Sequence, residues 1–360
     1  MTNHLKQSNI LLCGSARVGK STLINAICQQ KLAKSTASLN SVTKSVTTYS
    51  YECSNGQSTH KTIIWDTPGI ESWNENDVRS YLASLIEQAQ PLCMIYCASP
   101  GSFAILDHIQ WLLHECSRKN IFCALVCTNM WTGRYRQEVV NEFCRLLSLV
   151  HPNIHPTTEG NITYYDKVAL VTMVNSQEYV DEDFSVKKPP SGVEELIFGI
   201  GQCLNRDLMF AWFRSVSQNF SFWSTMSSKL SNLLNVPTEA FYSLYENTEE
   251  FLFHDAEIID VPEQKHNKKL VFTLKSQGEL SQILSRLGAK NSKTEHSKTE
   301  HEQRFSIIAE FENVEHMEAI YNIWQLAMTS QVSCTMDTDN QREISIEDVH
   351  QEDKDNHQKY

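Results

Sequence analysis

Short apolar runs alternate with amphipathic stretches along the first part of the chain. Six runs have the length and composition of buried strands, at 9–13, 46–53, 61–66, 92–98, 121–127 and 167–173. Helical spacing occurs between them, at 20–31, 77–88, 103–119, 134–150 and from Val193 onward. Strands that alternate with helices predict an α/β fold with a doubly wound, mostly parallel sheet, which we assign to residues 1–205. The turn signal Ser54-Asn55-Gly56-Gln57 predicts one antiparallel hairpin within it.

The pattern changes after residue 205. A helical segment is predicted at 206–255, and the helical stretch 193–234 is rich in aromatic residues. Such a stripe is typical of packing against the preceding domain or a second helix, with membrane or partner contact as the alternative. The aromatic residues are Phe198, Phe210, Trp212, Phe213, Phe220, Phe222 and Trp223.

Residues 256–336 have the pattern of a small α+β module. Strands are predicted at Leu270–Leu274 and Phe305–Phe311, helices at 277–287 and 314–328, and a closing strand at Gln331–Met336. The duplicated pentapeptide Ser-Lys-Thr-Glu-His at 292–301 is expected to form a solvated loop. Residues 337–360 are acidic with few apolar positions, which predicts a disordered tail.

The amino-acid composition argues against several classes of protein. With a net charge of −12, the chain lacks the basic character of a general nucleic-acid binder. The eleven cysteines have no zinc or disulfide spacing, and Cys13, Cys93, Cys97, Cys123 and Cys127 fall in apolar runs, which predicts buried free thiols. Because no signal peptide or long apolar segment is evident, a cytoplasmic location is expected and membrane association is not.

A phosphate-binding motif lies between the first strand and the first helix. Residues 14–21 read GSARVGKS, which fits G-x-x-x-x-G-K-[ST], and the strand and helix around it supply the required context. In such a loop the backbone N–H groups surround phosphates, Lys20 reaches the terminal phosphates and Ser21 ligates magnesium. The nucleotide-binding residues predicted here are Gly14, Ser15, Ala16, Arg17, Val18, Gly19, Lys20, Ser21 and Thr22. The loop alone leaves kinases, ATPases and GTPases open.

A second motif, Asp66-Thr67-Pro68-Gly69, ends the 61–66 strand and resembles the switch motif of GTPases. Asp66 would hold magnesium through a water, and the Gly69 N–H would sense the γ-phosphate. Together with the threonine-rich stretch 41–48, where S-V-T-K precedes a strand, the chain resembles P-loop GTPases of the TRAFAC class. Within that class it resembles the Era, TrmE and septin group, and most of all the AIG/GIMAP-type GTPases.

The resemblance implies GTP, GDP and Mg²⁺ as ligands. Thr43 is then the switch threonine and a third magnesium ligand beside Ser21 and Asp66, with Thr47 or Thr48 as the fallback. Catalysis would depend on Lys20, Thr43 and Gly69.

The base-recognition motif departs from its relatives. Where N-K-x-D or T-K-x-D is expected, this chain has Thr128-Asn129-Met130-Trp131. Thr128 and Asn129 suit the polar roles of that motif, but Trp131 cannot accept hydrogen bonds from guanine and offers at most stacking or shielding. Asn175, after the sixth predicted strand, fits the last nucleotide loop and could equally be a turn residue. The choice between GTP and ATP is therefore open.

Catalysis shows a second departure. Ile70 follows Gly69, where many small GTPases carry the glutamine that orients water, so slow intrinsic turnover is expected. Arg17, inside the loop, is placed to act across the nucleotide face of a homodimer, or it is an ordinary solvated side chain. Adjacent Glu71 is a weaker candidate for orienting water.

Three functions remain open at this point. The first is a GTPase that hydrolyses GTP slowly and acts as a switch or by dimerisation. The second is a GTP-stabilised scaffold with negligible turnover, whose C-terminal half recruits an unidentified protein. The third is a P-loop ATPase or small-molecule kinase with relaxed base specificity; no arginine-rich lid supports a kinase, since the polar 152–166 segment is predicted to be a plain loop.

Overall fold

The computed structural model describes most of the first 233 residues and a set of strands beyond them. The described residues are 7–33, 45–54, 59–68, 75–101, 107–181, 183, 185–216, 219–233, 263–265, 269–274, 291–298, 303–310, 333–336 and 342–345.

The helices are α1 (Lys20–Cys28), α2 (Glu75–Ala89), α3 (Asp107–Arg118), α4 (Arg136–Val150), α5 (Val193–Cys203), α6 (Arg206–Ser215), α7 (Phe220–Thr225) and α8 (Ser227–Leu233). The strands are β1 (Gln7–Gly14), β2 (Ser45–Ser54), β3 (Thr59–Asp66), β4 (Cys93–Ala98), β5 (Phe122–Cys127), β6 (Thr157–Glu159), β7 (Ile162–Tyr165), β8 (Ala169–Met173), β9 (Tyr179–Asp181), β10 (Val186–Lys188), β11 (Glu263–Lys265), β12 (Lys269–Leu274), β13 (Asn291–Lys298), β14 (Gln303–Glu310), β15 (Ser333–Met336) and β16 (Arg342–Ser345).

The main sheet has the order β15-β2-β3-β1-β4-β5-β8-β7-β6, and β16 also pairs with β2. Its centre, from β3 through β1, β4 and β5 to β8, is parallel. Every residue of β4 and β5 is buried, as is usual for parallel strands covered on both faces. All six predicted strands and all five predicted helices of this region are confirmed, and so is the doubly wound α/β fold. The predicted turn at 54–57 lies largely outside the described residues.

Helices α2, α3 and α4 cover one face of this sheet. They contribute to a hydrophobic core that includes Leu85, Leu112 and Phe143, packed with Leu11 and Leu125 of the strands. The cysteines predicted to be buried thiols are buried, and burial raises the pKa of the Cys13 thiol to about 12. These thiols fill the core as apolar groups.

The predicted loop at 152–166 is wrong. Strands β6 and β7 pair antiparallel there and extend the main sheet beyond β8. Ile162, Tyr164 and Tyr165 are buried, and the tight turn at Gly160, with φ of +57°, connects the two strands. The apolar signal was missed because it occupies only a few positions in a polar segment.

A further hairpin, β9 and β10, follows β8 and was not predicted. Its base is closed by two backbone hydrogen bonds, from the Asn175 N–H to the Ser191 carbonyl (2.8 Å) and from the Ser191 N–H to the Asn175 carbonyl (2.9 Å). The loop after the sixth predicted strand is therefore a closed hairpin that returns to the same sheet edge.

The aromatic stripe is used for packing, as predicted, at the residues whose side chains the structure describes. Trp212, Phe213 and Phe222 are fully buried, and the rings of Phe213 and Phe222 stack at 5.8 Å. The Trp212 Nε1–H donates to the Ile197 carbonyl at 2.9 Å, which satisfies its one polar group. The helical region is not continuous, because α5, α6, α7 and α8 are separate helices.

The chain divides into two compact units. One comprises Met1–Cys53, His60–Phe222 and Cys334–Tyr360, and the other comprises Ser54–Thr59 and Trp223–Ser333. The second contains an antiparallel sheet in the order β11-β12-β14-β13. The strands predicted at Leu270–Leu274 and Phe305–Phe311 are confirmed there, whereas the helices predicted at 277–287 and 314–328 lie outside the described residues.

The structure differs from three other expectations for the C-terminal part. The first copy of the duplicated pentapeptide lies in β13, which pairs with β14 at the edge of its sheet, instead of in a loop. Strand β13 is held by backbone hydrogen bonds to β14. Its polar sequence therefore contains no run of apolar residues from which a strand could be predicted.

The predicted closing strand at Gln331–Met336 corresponds to β15, which belongs to the main sheet beside β2 and not to the small module. Within the predicted disordered tail, β16 pairs antiparallel with β2, from Arg342 opposite Thr48 to Ser345 opposite Ser45. Backbone pairing to an open sheet edge orders this short polar stretch.

Among the helices in the described part of the chain, none combines the length and apolarity needed to cross a bilayer.

Candidate nucleotide-binding site

The loop between β1 and α1 begins at a glycine that the fold requires. Gly14 has φ of +134°, and a Cβ atom there would lie 2.1 Å from the Cys97 carbonyl oxygen of β4. Only glycine lets β1 turn into the loop this close to β4.

The loop then alternates between backbone conformations. Arg17 and Gly19 are left-handed, with φ of 62° and 87°. Alternation of this kind turns successive N–H groups toward one side and forms an anion-binding concavity. The N-terminus of α1 has neither a side-chain cap nor an acidic residue in its first turn, so its N–H groups and partial positive charge add to the concavity.

The Lys20 side chain extends from the start of α1 back to the beginning of the phosphate loop. Its side chain is buried, and Nζ donates to the carbonyl oxygens of Gly14 (2.9 Å) and Ser15 (2.8 Å). A lysine ammonium has three donors, so these bonds leave one donor of the group for a ligand in the loop.

Ser21 and Asp66 meet beside the loop, as predicted. The Ser21 hydroxyl donates to Asp66 Oδ2 at 3.1 Å. Burial raises the pKa of the Asp66 carboxyl, an effect opposed by the charge of Lys20 and by the Ser21 hydrogen bond. Asp66 Oδ1 is buried and has no hydrogen-bond partner among the described residues.

This arrangement fits a magnesium ion. Mg²⁺ usually binds one or two carboxylates and completes its octahedron with water and substrate phosphates. A hydroxyl and an orphaned carboxylate oxygen beside a phosphate loop provide such a partial set. Over the described ranges, the structure has no group of three or more His, Cys, Asp and Glu side chains that could enclose a metal alone.

The loop is fixed from the other side by the residues that follow β5. The Thr128 hydroxyl lies within hydrogen-bond distance of the Val18 carbonyl and 3.0 Å from the Ala98 carbonyl. Asn129 Nδ2 donates to the Val18 carbonyl at 3.4 Å, and its amide group lies against Gly19. Both residues therefore lie next to the phosphate loop and hold its backbone, and their predicted contact with the nucleotide stays a prediction.

Two cations lie close to the ring of Trp131. The Arg136 guanidinium carbon is 4.6 Å from the indole centroid, and Lys188 Nζ is 5.5 Å from it. Trp131 Nε1 is buried and lacks a hydrogen-bond partner in the part of the chain that the structure describes. This position thus presents a ring and N–H donors. Lys188, which reaches the ring from β10, could not be predicted from the sequence.

Asn175 is buried and lies at the same edge of the sheet, but its amide is engaged. Nδ2 lies 2.6 Å from the Gln177 carbonyl and 3.3 Å from the Pro189 carbonyl. Together with the backbone pairing to Ser191, these contacts close the β9–β10 hairpin. Of the two roles that the sequence left open, the geometry favours the turn residue.

The remaining predicted residues divide into two groups. Ala16 and Thr22 are half-buried in the loop and the first turn of α1, and the Arg17 side chain is exposed. Thr43, Gly69, Ile70 and Glu71 lie outside the described residues, so the predicted switch threonine and γ-phosphate sensor remain predictions.

Residues 9–128 match the family described as 50S ribosome-binding GTPase. A comparison with curated proteins found no match.

Among solved structures, Era from Aquifex aeolicus bound to GDP and AlF4⁻ is 18% identical, with a TM-score of 0.34 over 56% of this chain and 57% of that chain. Toc33 from Arabidopsis thaliana in complex with Mg²⁺ and GMPPNP is 14% identical, with a TM-score of 0.36 over 55% and 85%. A probable GTP-binding protein, EngB, is 16% identical, with a TM-score of 0.33 over 54% and 98%. Identities this low do not transfer an activity to this chain.

Proposed function

We propose that the chain, whose residues 9–128 match the 50S ribosome-binding GTPase family, is a P-loop GTPase of the TRAFAC class that binds a magnesium–GTP complex and hydrolyses it slowly to GDP and phosphate. The closer kinship to AIG/GIMAP-type GTPases stays a prediction. The observation that carries the proposal is the convergence of Lys20, Ser21 and Asp66 beside the loop.

Each of these residues has a defined task in the proposal. The loop N–H groups and Lys20 hold the β- and γ-phosphates and stabilise the charge that develops on the transferred group. Ser21 and Asp66 hold the magnesium ion, which supplies the remaining charge neutralisation when it is bound. The buried Asp66 Oδ1, with no partner among the described residues, is ready to accept from a metal-bound water.

Turnover is slow in this proposal because the chain has Ile70 after the D-T-P-G motif. An isoleucine cannot orient the attacking water, so that task falls to a partner or to a second copy. The exposed Arg17 at the nucleotide face supports a dimer in which each copy acts on the other. Such a protein works as a switch or an assembly GTPase, and its C-terminal half is the proposed partner-binding part.

The test is a binding titration with fluorescent GTP in the presence of Mg²⁺. We expect Lys20→Ala to lower triphosphate affinity at least about 100-fold, because it removes the charge that faces the phosphates. Lys31→Ala is the matched control, since Lys31 is an exposed lysine just beyond α1. Equal affinity of both variants and the unsubstituted chain would show that the loop is not the site.

Phosphate release separates the GTPase from the scaffold. Measurable release that Lys20→Ala abolishes supports hydrolysis at this loop. Tight binding of GTP with no release of phosphate at any protein concentration would instead favour the GTP-stabilised scaffold. The observation that favours this second function is Ile70, which cannot orient water.

A further inference from the structure

The direction in which a nucleotide lies across the site follows from the strand order. The phosphate loop follows β1, and Asp66 is the last residue of β3 on one side of it. Beyond β4 on the other side, the carboxyl ends of β5 and β8 carry Trp131 and Asn175. With its phosphates on the loop and its metal beside Asp66, a nucleotide extends its base toward β5 and β8.

The side chains that the structure places around the Trp131 ring carry donors. Trp131 offers only its Nε1–H, and the groups over its ring are the Arg136 guanidinium and the Lys188 ammonium. The Asn175 Nδ2 donor is engaged by two backbone carbonyls, and the Thr128 hydroxyl is engaged by the loop. The Met130 N–H donates to the Val174 carbonyl at 3.3 Å, which ties the two loops of the base end together.

Guanine itself carries two donors on the edge that GTPases recognise. Its N1–H and 2-amino group need acceptors, and a carboxylate would satisfy both at once. Trp131, Arg136 and Lys188 have no acceptor atom, so none of these three side chains can hydrogen-bond to the 2-amino group. A carbonyl oxygen in its place would instead accept from them.

The position of Arg136 supports a role in the site. It occupies the first turn of α4, where a cation opposes the helix dipole, and the helix has no side-chain cap. Its guanidinium is held over the indole of Trp131, and Nη1 donates to the Met130 carbonyl at 3.4 Å. The cation is thus retained beside the base end despite an unfavourable position in its own helix.

We propose that the base end of this site is a donor-lined pocket, formed by Trp131, Arg136 and Lys188, which does not select guanine by its 2-amino group and favours a purine with a carbonyl there. This proposal rests on the proposed function, since it concerns the base of the same nucleotide. Hypoxanthine, which has only hydrogen at that position, binds as well as guanine, and xanthine, with its 2-carbonyl, binds more tightly.

The experiment is competition of GTP, ITP and XTP against a fluorescent triphosphate on the full chain with Mg²⁺. We expect GTP and ITP affinities to agree within about threefold and XTP to bind at least about threefold more tightly than ITP. A site with a carboxylate acceptor would favour GTP over ITP roughly 10-fold or more, since hydrogen bonds to charged groups are strong. A GTP preference over ITP above threefold, or XTP binding no better than ITP, overturns the proposal.

A matched pair of variants assigns the effect to the pocket. Lys188→Gln removes the cation over Trp131 and should reduce the XTP advantage over ITP at least about twofold. Lys187→Gln changes the neighbouring exposed lysine, which points to the other face of β10, and should leave the ratio unchanged. Equal ratios in both variants would contradict the role of Lys188.

The two proposals fail in different ways. If no triphosphate competes, the proposed function itself fails. If all three triphosphates bind and Lys20→Ala abolishes their binding, but GTP is strongly preferred, the loop function stands and only the donor-lined pocket is wrong.

Discussion

At the scale of single residues, Gly14 is the position where the phosphate loop is most sensitive to substitution. We predict that Gly14→Ala destabilises the fold by at least about 2 kcal/mol, because a Cβ there would overlap the Cys97 carbonyl and φ is +134°. Urea unfolding measures the loss. Gly101→Ala is the control, since no atom of the described residues lies within 4 Å of a Cβ at Gly101. Equal midpoints for the two variants would show that the loop backbone can move away.

The buried carboxylate of Asp66 lowers the folding stability of the ligand-free protein, although the proposed magnesium site needs it. Burial raises the pKa of its carboxyl, so the folded state binds that proton more tightly than the unfolded chain does. The stability of the ligand-free protein therefore falls as the pH rises from the unfolded pKa through the raised, folded pKa.

Asp66→Asn removes this charge. We therefore predict that the ligand-free variant melts roughly 2–4 °C higher than the unsubstituted chain at pH 7, and that the two melt at the same temperature at acidic pH. It should also lose the magnesium dependence of nucleotide binding. Asp166→Asn, at an exposed aspartate, is the control and should leave both properties unchanged. A lower melting temperature of Asp66→Asn at pH 7 would contradict the assignment of burial as the dominant effect.

The residues of the site differ in how far the sequence could predict them. Lys20, Ser21 and Asp66 were predicted because the two motifs fix both the side chains and the backbone that carries them. The role of Asn175 could not be decided, because one of its amide partners is the Pro189 carbonyl across a hairpin. The contact of Lys188 with Trp131 was not predicted for the same reason, because Lys188 reaches the ring through tertiary structure alone.

At the scale of elements, Asn219 links α1 to the start of α7. Its Nδ2 donates to the Ala26 and Ile27 carbonyls at the end of α1 (3.1 and 2.9 Å), and its Oδ1 accepts from the Phe222 N–H (2.9 Å). It is 2% exposed, so the groups it satisfies cannot turn to water. One side chain thus satisfies the end of α1, the helix that begins at the phosphate loop, and caps α7.

We predict that Asn219→Ala costs about 2–3 kcal/mol, because it removes an N-cap and leaves buried carbonyls unsatisfied. Asn205→Ala removes the exposed N-cap of α6, where Oδ1 accepts from the Leu208 N–H at 3.0 Å, and should cost about 1 kcal/mol. Chemical unfolding compares the two. A loss at position 219 no greater than that at 205 would show that the link to α1 contributes nothing.

Burial explains which elements could be predicted. Strands in the parallel centre, such as β4 and β5, have continuous apolar sequences because both of their faces are covered. The missed strands are peripheral or short: β6 is exposed throughout, β10 likewise, and β13 is an edge strand of polar sequence. Their backbone pairing holds them, and that pairing depends on a neighbour that the local sequence does not reveal.

At the scale of the whole molecule, the net charge of −12 opposes the proposed dimer. Two copies repel each other through solvent, and salt screens that repulsion within about 8 Å at physiological ionic strength. If hydrolysis depends on a second copy, phosphate release per molecule should therefore rise with protein concentration, and it should do so at lower concentration when salt is increased.

We predict that Arg17→Ala abolishes this rise, because Arg17 is the exposed arginine of the loop at the nucleotide face. The measurement is phosphate release over a wide range of protein concentrations at two ionic strengths. Arg145→Ala, at an exposed arginine of α4 paired with Glu142, is the control and should keep the concentration dependence. A specific rate independent of concentration in the unsubstituted chain would exclude activation between copies, and a separate partner would then have to orient the water that Ile70 cannot.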